Sequence, residues 1–228
     1  MHKLLTLTLA AAALAAPAFA DTKSYNFTGF TKIDVDSAFE IEFTQSPNYS
    51  VVVDSNPNHL DKIIVEKDGD TLRITRPNNT HIRGEMHDIV RISAPDLDAL
   101  TLDAAIKFSA DSLNVDTLNI DAEAATSISI RSLKADTVDV DIDSASSLKL
   151  AGTCNRFTLD LGAAASVVAS DFKCREATIT GGEASSAQVY ASERAVAATG
   201  TASSIKVSGN PRDFQKKAGF ASSISLAD

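Results

Sequence analysis

The sequence predicts an all-β solenoid, a chain wound into stacked parallel coils of about twenty residues behind a more irregular β portion at its amino-terminal end. Two observations carry the prediction. The first is a degenerate unit, small residues followed by an apolar-x-apolar strand, that recurs from about residue 104. It reads Ala104-Ala105-Ile106-Lys107-Phe108, Ala125-Thr126-Ser127-Ile128-Ser129-Ile130, Ala145-Ser146-Ser147-Leu148-Lys149-Leu150, Ala164-Ala165-Ser166-Val167-Val168-Ala169, Ser185-Ser186-Ala187-Gln188-Val189-Tyr190, Ala202-Ser203-Ser204-Ile205-Lys206-Val207 and Ala221-Ser222-Ser223-Ile224-Ser225-Leu226. Counted from the first strand residue of each copy, the steps are 22, 20, 19, 21, 17 and 19. The second is strict two-residue alternation between the copies, as in Leu118-Asn119-Ile120-Asp121, Val138-Asp139-Val140-Asp141-Ile142-Asp143 and Phe157-Thr158-Leu159-Asp160-Leu161. Alternation of that kind marks a strand with one buried face.

One coil of this kind cannot bury its apolar face alone, but a stack of coils buries a continuous aliphatic core. The corners are predicted to be small because bulky side chains piled at a sharp bend collide with the coil above. Helix competes poorly despite the many alanines, since Thr, Val, Ile and Ser are frequent and the apolar spacing is two. In the amino-terminal portion the strand candidates are Thr31–Val35, Phe39–Phe43, Ser50–Val53, Lys62–Val65, Thr71–Ile74 and Ile89–Ile92. Asp68-Gly69 between two of them signals a tight hairpin. Tyr25, Phe27, Phe30, Phe39, Phe43 and Tyr49 concentrate the aromatics there, as a larger core that caps one end of the stack requires. Residues 77–88 form the longest polar interruption, the kind of loop that often carries function.

Residues 1–20 read as an export leader: His2 and Lys3, an apolar run from Leu4 to Ala16, and Ala18-Phe19-Ala20 as the cleavage signal, with the cut expected between Ala20 and Asp21. The rest, 21–228, is expected to be a single exported domain, with 21–100 capping and 101–228 as repeat coils. Loss of Lys3 with the leader takes the formal charge from −9 to −10. That balance argues against nucleic acid or an anionic membrane surface as partner, because both demand Lys and Arg. No later stretch approaches the roughly 20 apolar residues of a membrane-spanning helix. The two cysteines, Cys154 and Cys174, are one repeat apart. Stacked positions about 4.8 Å apart lie within the reach of a disulfide, and export permits oxidation. A bridge is therefore expected, with two buried free thiols as the alternative.

The order of several short patterns resembles one family. Phe27-x-x-Phe30-x-x-Ile33-x-Val35, Phe39-x-Ile41-x-Phe43-x-Gln45, Asn58-x-Leu60, Asp68-Gly69-x-x-Leu72-x-Ile74 and Ile92-x-Ala94-Pro95-x-Leu97-x-x-Leu100, followed by the small-residue repeats, are similar to the GIN head domain of bacterial auto-transporter adhesins. The resemblance covers about residues 25 to 226. It implies a right-handed parallel β-helix in the envelope of a Gram-negative bacterium, in the periplasm or at the surface, with no enzymatic activity and no catalytic residues to carry over. This chain departs from the family pattern at the corners, where Ser-Gly pairs are common and Ala and Ser stand instead. Residues with a Cβ resist positive φ, so a different corner geometry is expected.

The candidate site is an acidic row, Asp121, Asp141 and Asp160, in equivalent outward positions one coil apart, with Asp103 beneath and Asp139 and Asp143 beside it. Stacked carboxylates repel, so the row either lies hydrated, the expected state, or gathers a cation such as calcium through oxygen ligands. An enzyme acting on polysaccharide, using these carboxylates with Arg131 or Arg156 of the same stack, is the rival reading. The chain has no tryptophan, which removes the best sugar-stacking side chain. His81, Glu85 and His87 in the polar loop match no zinc spacing, and His59 stands apart. No G-x-S-x-G, H-E-x-x-H or Gly-rich phosphate loop is present. The expected function is thus a non-catalytic envelope scaffold contacting a protein or polysaccharide. Self-assembly through the strand edge at Phe220–Leu226 is a third reading.

Overall fold

In the computed structural model, residues 21–77 and 88–227 are described. The expected leader with Ala20, and His81, Glu85 and His87 of the polar loop, lie outside them. Among the described residues the amino-terminal portion holds β1 (Asp21–Tyr25), β2 (Lys32–Asp36), β3 (Glu40–Gln45), β4 (Ser50–Ser55), a single helical turn α1 (Pro57–Leu60), β5 (Ile64–Asp68), β6 (Thr71–Thr75) and β7 (Ile89–Ala94). The coils follow as β8 (Ala99–Asp103), β9 (Lys107–Ala110), β10 (Leu113–Asn114), β11 (Thr117–Ala122), β12 (Ser127–Lys134), β13 (Thr137–Ile142), β14 (Ser147–Leu161), β15 (Ser166–Gly181), β16 (Ser186–Thr199), β17 (Ser204–Ser208), β18 (Asp213–Lys217) and β19 (Ser223–Leu226). The six strands read from the amino-terminal sequence are β2 to β7. The short polar β1 and α1 are additions to that reading.

The coils form a β-solenoid. Ile128, Leu148 and Val167 are direct parallel neighbours, so equivalent side chains pile into columns. Two corrections to the register emerge. Phe108, not Ile106, stands opposite Ile128, and Ala187, not Gln188, stands between Val167 and Ile205. The true steps are therefore 20, 20, 19, 20, 18 and 19, a more even period than the sequence reading. The error arose because Ile106 is also buried: it faces Thr126, whose hydroxyl is buried at the same corner.

Two broad ladders carry the stack. One runs β5-β6-β2-β8-β11-β13 and on through the second halves of β14, β15 and β16 to β18. The other runs β1-β4-β7-β3-β9-β12 and on through the first halves of β14, β15 and β16 to β17 and β19. All coil pairings are parallel, whereas β1–β4, β4–β7 and β5–β6 are antiparallel. Both ladders thus change direction in the amino-terminal portion. The Asp68-Gly69 hairpin, with Gly69 at φ 58°, makes one of these reversals. A short third row joins β10, the end of β12 and the middle of β14 and β15, and it holds the cysteines.

At the corners the expectation of a changed geometry fails. Ala124, Ala125, Ser144, Ala145, Ala164, Ala184, Ala202 and Ala221 all take φ between 52° and 66°, so Ala and Ser occupy left-handed backbone. Each such residue costs on the order of 1 kcal/mol relative to glycine. The glycines of the corner serve a different need: a Cβ on Gly182 would lie 2.5 Å from the Leu161 carbonyl oxygen of the coil beneath. Buried hydroxyls hold the bend. Thr126 Oγ1 donates to the Ala104 and Glu123 carbonyls at 2.9 and 2.7 Å, and the Ser185 and Ser203 hydroxyls donate to the Gly182 carbonyl. Ser146 and Ser203 accept from the Thr126 and Ser185 amides, so the corner donors are satisfied from the next coil.

Candidate functional site

The alternation that buries Leu118, Ile120, Val138, Val140, Leu159 and Leu161 necessarily points Asn119, Asp121, Asp139, Asp141, Thr158 and Asp160 outward. Register places Asp121, Asp141 and Asp160 in one column, as expected. One flanking assignment differs. Thr101, not Asp103, lies beneath Asp121, and Thr180 continues the column above Asp160. Asp139 sits in the adjacent column between Asn119 and Thr158. Asp143 belongs to the corner: its Oδ1 accepts from the Ser144 and Ala163 amides at 2.7 and 2.8 Å. The row is therefore three carboxylates bracketed by threonines, and its Asp121 and Asp141 line an open depression of about 400 Å³ together with Thr101, Asn119, Asp139 and Thr158.

The electrostatics follow from that column. Desolvation, then the charges of Asp160, Asp121 and Asp143, push the Asp141 carboxyl above its ordinary value of 3.8. Among the described residues no Lys or Arg pairs with Asp121, Asp141 or Asp160. The next outward column beyond that of Asp139 is built differently: after Thr137, the residues Arg156, Glu176, Arg194 and Asp213 alternate in sign, and Arg194 pairs with Asp213 at 3.5 Å. Beside it Arg175 grips Glu193 with two bonds of 3.0 Å. Arg131 is not in this stack: it pairs with Asp111 at 2.9 Å on another strand row. Among the described residues no group of three or more His, Cys, Asp or Glu side chains is placed to hold a metal ion. The carboxylates are strung along a line and do not converge on a point.

The second ladder presents a different surface. From β12 to β19 its outward positions are Ser127, Ser129, Ser147, Lys149, Ser166, Val168, Ser186, Gln188, Ser204, Lys206, Ser223 and Ser225, without a carboxylate among them. Hydroxyls of one column touch at 3.2 to 3.3 Å, Ser127 with Ser147, Ser166 with Ser186 and Ser204 with Ser223.

Cys154 and Cys174 face each other in register and form a disulfide, with an S–S distance of 2.03 Å and Cα atoms 4.4 Å apart. It clips two adjacent coils, as the one-repeat spacing anticipates.

A buried polar cluster in the amino-terminal portion escaped the sequence reading. Asp88, fully buried, accepts from Arg76 Nη2 and from the Ser55 hydroxyl, and His59 Nδ1 lies 3.7 Å from its Oδ1. Arg76 also donates to the Ala38 carbonyl at 2.8 Å and lies 4.0 Å from the centre of the Phe39 ring. Burial lowers the Arg76 guanidinium from its ordinary value, and Asp88 opposes that shift. Arg76 and Asp88 flank the polar interruption, so this ion pair anchors both ends of it. Nothing in their sequence neighbourhood separates them from ordinary surface charges.

The family described as "Putative auto-transporter adhesin, head GIN domain" matches residues 29–211. Among solved structures, one described as a putative adhesin from Bacteroides fragilis aligns with a TM-score of 0.88 at 20% identity, covering 92% of this chain and 98% of that one. One described as a putative adhesin from Parabacteroides merdae aligns at 0.67 and 15% identity, covering 92% and 97%. One described as a putative lipid binding protein from Parabacteroides distasonis aligns at 0.67 and 18%, covering 92% and 98%. These likenesses show a shared solenoid fold. No curated protein matches the chain. With the family match spanning most of its length and every coil in place, this chain belongs to the GIN-domain family of auto-transporter adhesin heads.

Proposed function

We propose that this protein is a non-catalytic, exported envelope protein that contacts a macromolecule, an extracellular protein or a surface polysaccharide, through the acidic outward face of its coils. The observation that carries the reading is the column Asp121, Asp141 and Asp160 on an open sheet face, which no Lys or Arg among the described residues pairs with, whereas the charges Arg156, Glu176, Arg194 and Asp213 of the same face alternate in sign. Family membership and the adhesin descriptions of the fold's relatives support it. A flat solenoid face suits extended recognition because contacts are spread over many coils. In this reading a calcium ion bridges single carboxylates of the row and an anionic polymer, with the polymer supplying the remaining oxygen ligands.

The test is solid-phase binding of purified protein to a panel of matrix proteins and envelope polysaccharides, with and without calcium, for the natural chain and the triple variant D121N, D141N and D160N. The natural chain binds at least one surface, and the variant loses tenfold or more. Equal binding by both, or none across the panel, defeats the reading. Surface protease digestion of intact cells checks the expected exported location.

A further inference from the structure

We infer that Lys216 is a terminating plug: it closes the apolar end of the coil stack and forbids a second copy of this chain from stacking there. Leu100, Ile120, Val140, Leu159, Ile179 and Ala197 form one inward column, each buried and each in register with the next. The next position in that register is Lys216, which is exposed although its partner Ala197 is only 1% exposed. The other inward positions of the same coil remain apolar: Phe214 opposite Ala195, Ile224 opposite Ile205 and Leu226 opposite Val207.

The side chain spans the mouth of the coil. Lys216 Nζ lies 3.4 Å from the Ile224 carbonyl oxygen on β19 and 5.9 Å from the centre of the Phe214 ring on its own strand. Its four-carbon stem covers apolar surface while the ammonium stays at the water. A further coil at strand spacing would enclose that ammonium in an aliphatic column without a carboxylate, which is strongly unfavourable. Without the charge this end would be a ready template: among the described residues no strand pairs with the outer edges of β18 and β19, and Phe220 and Leu226 are 83% and 45% exposed. An inward-facing charge is one of the devices by which open sheet edges are kept from pairing. The occupant being excluded is a second copy placed end to end, because its terminal coil offers matching strand edges and the same apolar residues.

The test compares the natural chain with K216L, K216M and K216E by size-exclusion light scattering over a wide concentration range and by small-angle scattering. The natural chain and K216E stay monomeric. K216L and K216M double in apparent mass and nearly double in longest dimension, with an unchanged circular dichroism spectrum. K216M keeps the stem and so reports on charge alone if K216L misfolds. The inference is overturned if both neutral variants remain monomeric, if K216E doubles as they do, if the natural chain is already a dimer, or if the larger species are not elongated.

Discussion

The amino-terminal portion and the coils are built of the same strands but held by different means. In the coils, aliphatic columns repeat and most core residues have equivalents: Ile128, Leu148 and Val167 perform one task at three heights. In the amino-terminal portion the ladders reverse direction, aromatics thicken the core, and one buried ion pair, Arg76 with Asp88, joins α1, β4, β6 and β7. Repetition spreads stability over many small contacts, whereas a cap concentrates it in a few that have no substitute.

That contrast can be broken most severely at Asp88. D88A leaves the guanidinium of Arg76 buried without its carboxylate and is expected to cost about 3–5 kcal/mol, read as a lower denaturant midpoint. A loss under about 1 kcal/mol would remove the distinction between cap and coils. In the coils the largest single contribution should come from the one cross-link. Replacing Cys154 and Cys174 together by Ala should cost roughly 2–4 kcal/mol, matched by adding reductant to the natural chain. The repeated corner predicts the opposite sign: A164G relieves left-handed backbone at φ 57° and should stabilise by about 0.5–1 kcal/mol. The same change at Ala202 and at Ala221 should act alike, since the three corners repeat one geometry. Unequal effects would show that the corners are not interchangeable.

The smallest effect sharpens the charge pattern of the acidic face. Because Asp141 is raised above 3.8, the folded chain holds its proton more tightly than the unfolded chain does. That contribution is complete below the ordinary carboxyl value and is lost as pH rises through the raised one. D141N should therefore stabilise slightly at neutral pH, by no more than a few tenths of a kcal/mol because solvent screens this exposed carboxylate, and have no effect below the ordinary carboxyl value. Equal stability at both values would show that the row carries no net repulsion.

Much of this architecture was legible because its cause is periodic. Two-residue alternation with small corners dictates stacked coils, and Asp68-Gly69 dictates a hairpin, whatever lies elsewhere in the chain. The cysteine bridge followed from the same period. One register was misplaced where two buried residues compete for it: Ile106 and Phe108 are both core, so apolarity alone could not choose between them, and the other was misplaced because the core residue Ala187 is as small as the corner residues before it. The strand β1, Asp-Thr-Lys-Ser-Tyr, was missed because it has no alternation and is held by backbone pairing to β4. The turn α1 left a legible trace, Asn56 capping Asn58 ahead of Pro57, but one turn has no period. The buried cluster of Ser55, His59, Arg76 and Asp88 is assembled across separations of up to 33 residues and leaves no local trace. The acidic row was found because it shares the coil period, and Asp103 was misassigned because it stands at a strand end where the chain turns.

The bond between Cys154 and Cys174 has a mechanical consequence. A stack whose coils are joined only by hydrogen bonds can fray stepwise from one end, but a covalent rivet in its interior arrests that peeling. Amide exchange should accordingly fall off sharply on passing from β17–β19 down to the riveted pair, and the boundary should disappear on reduction.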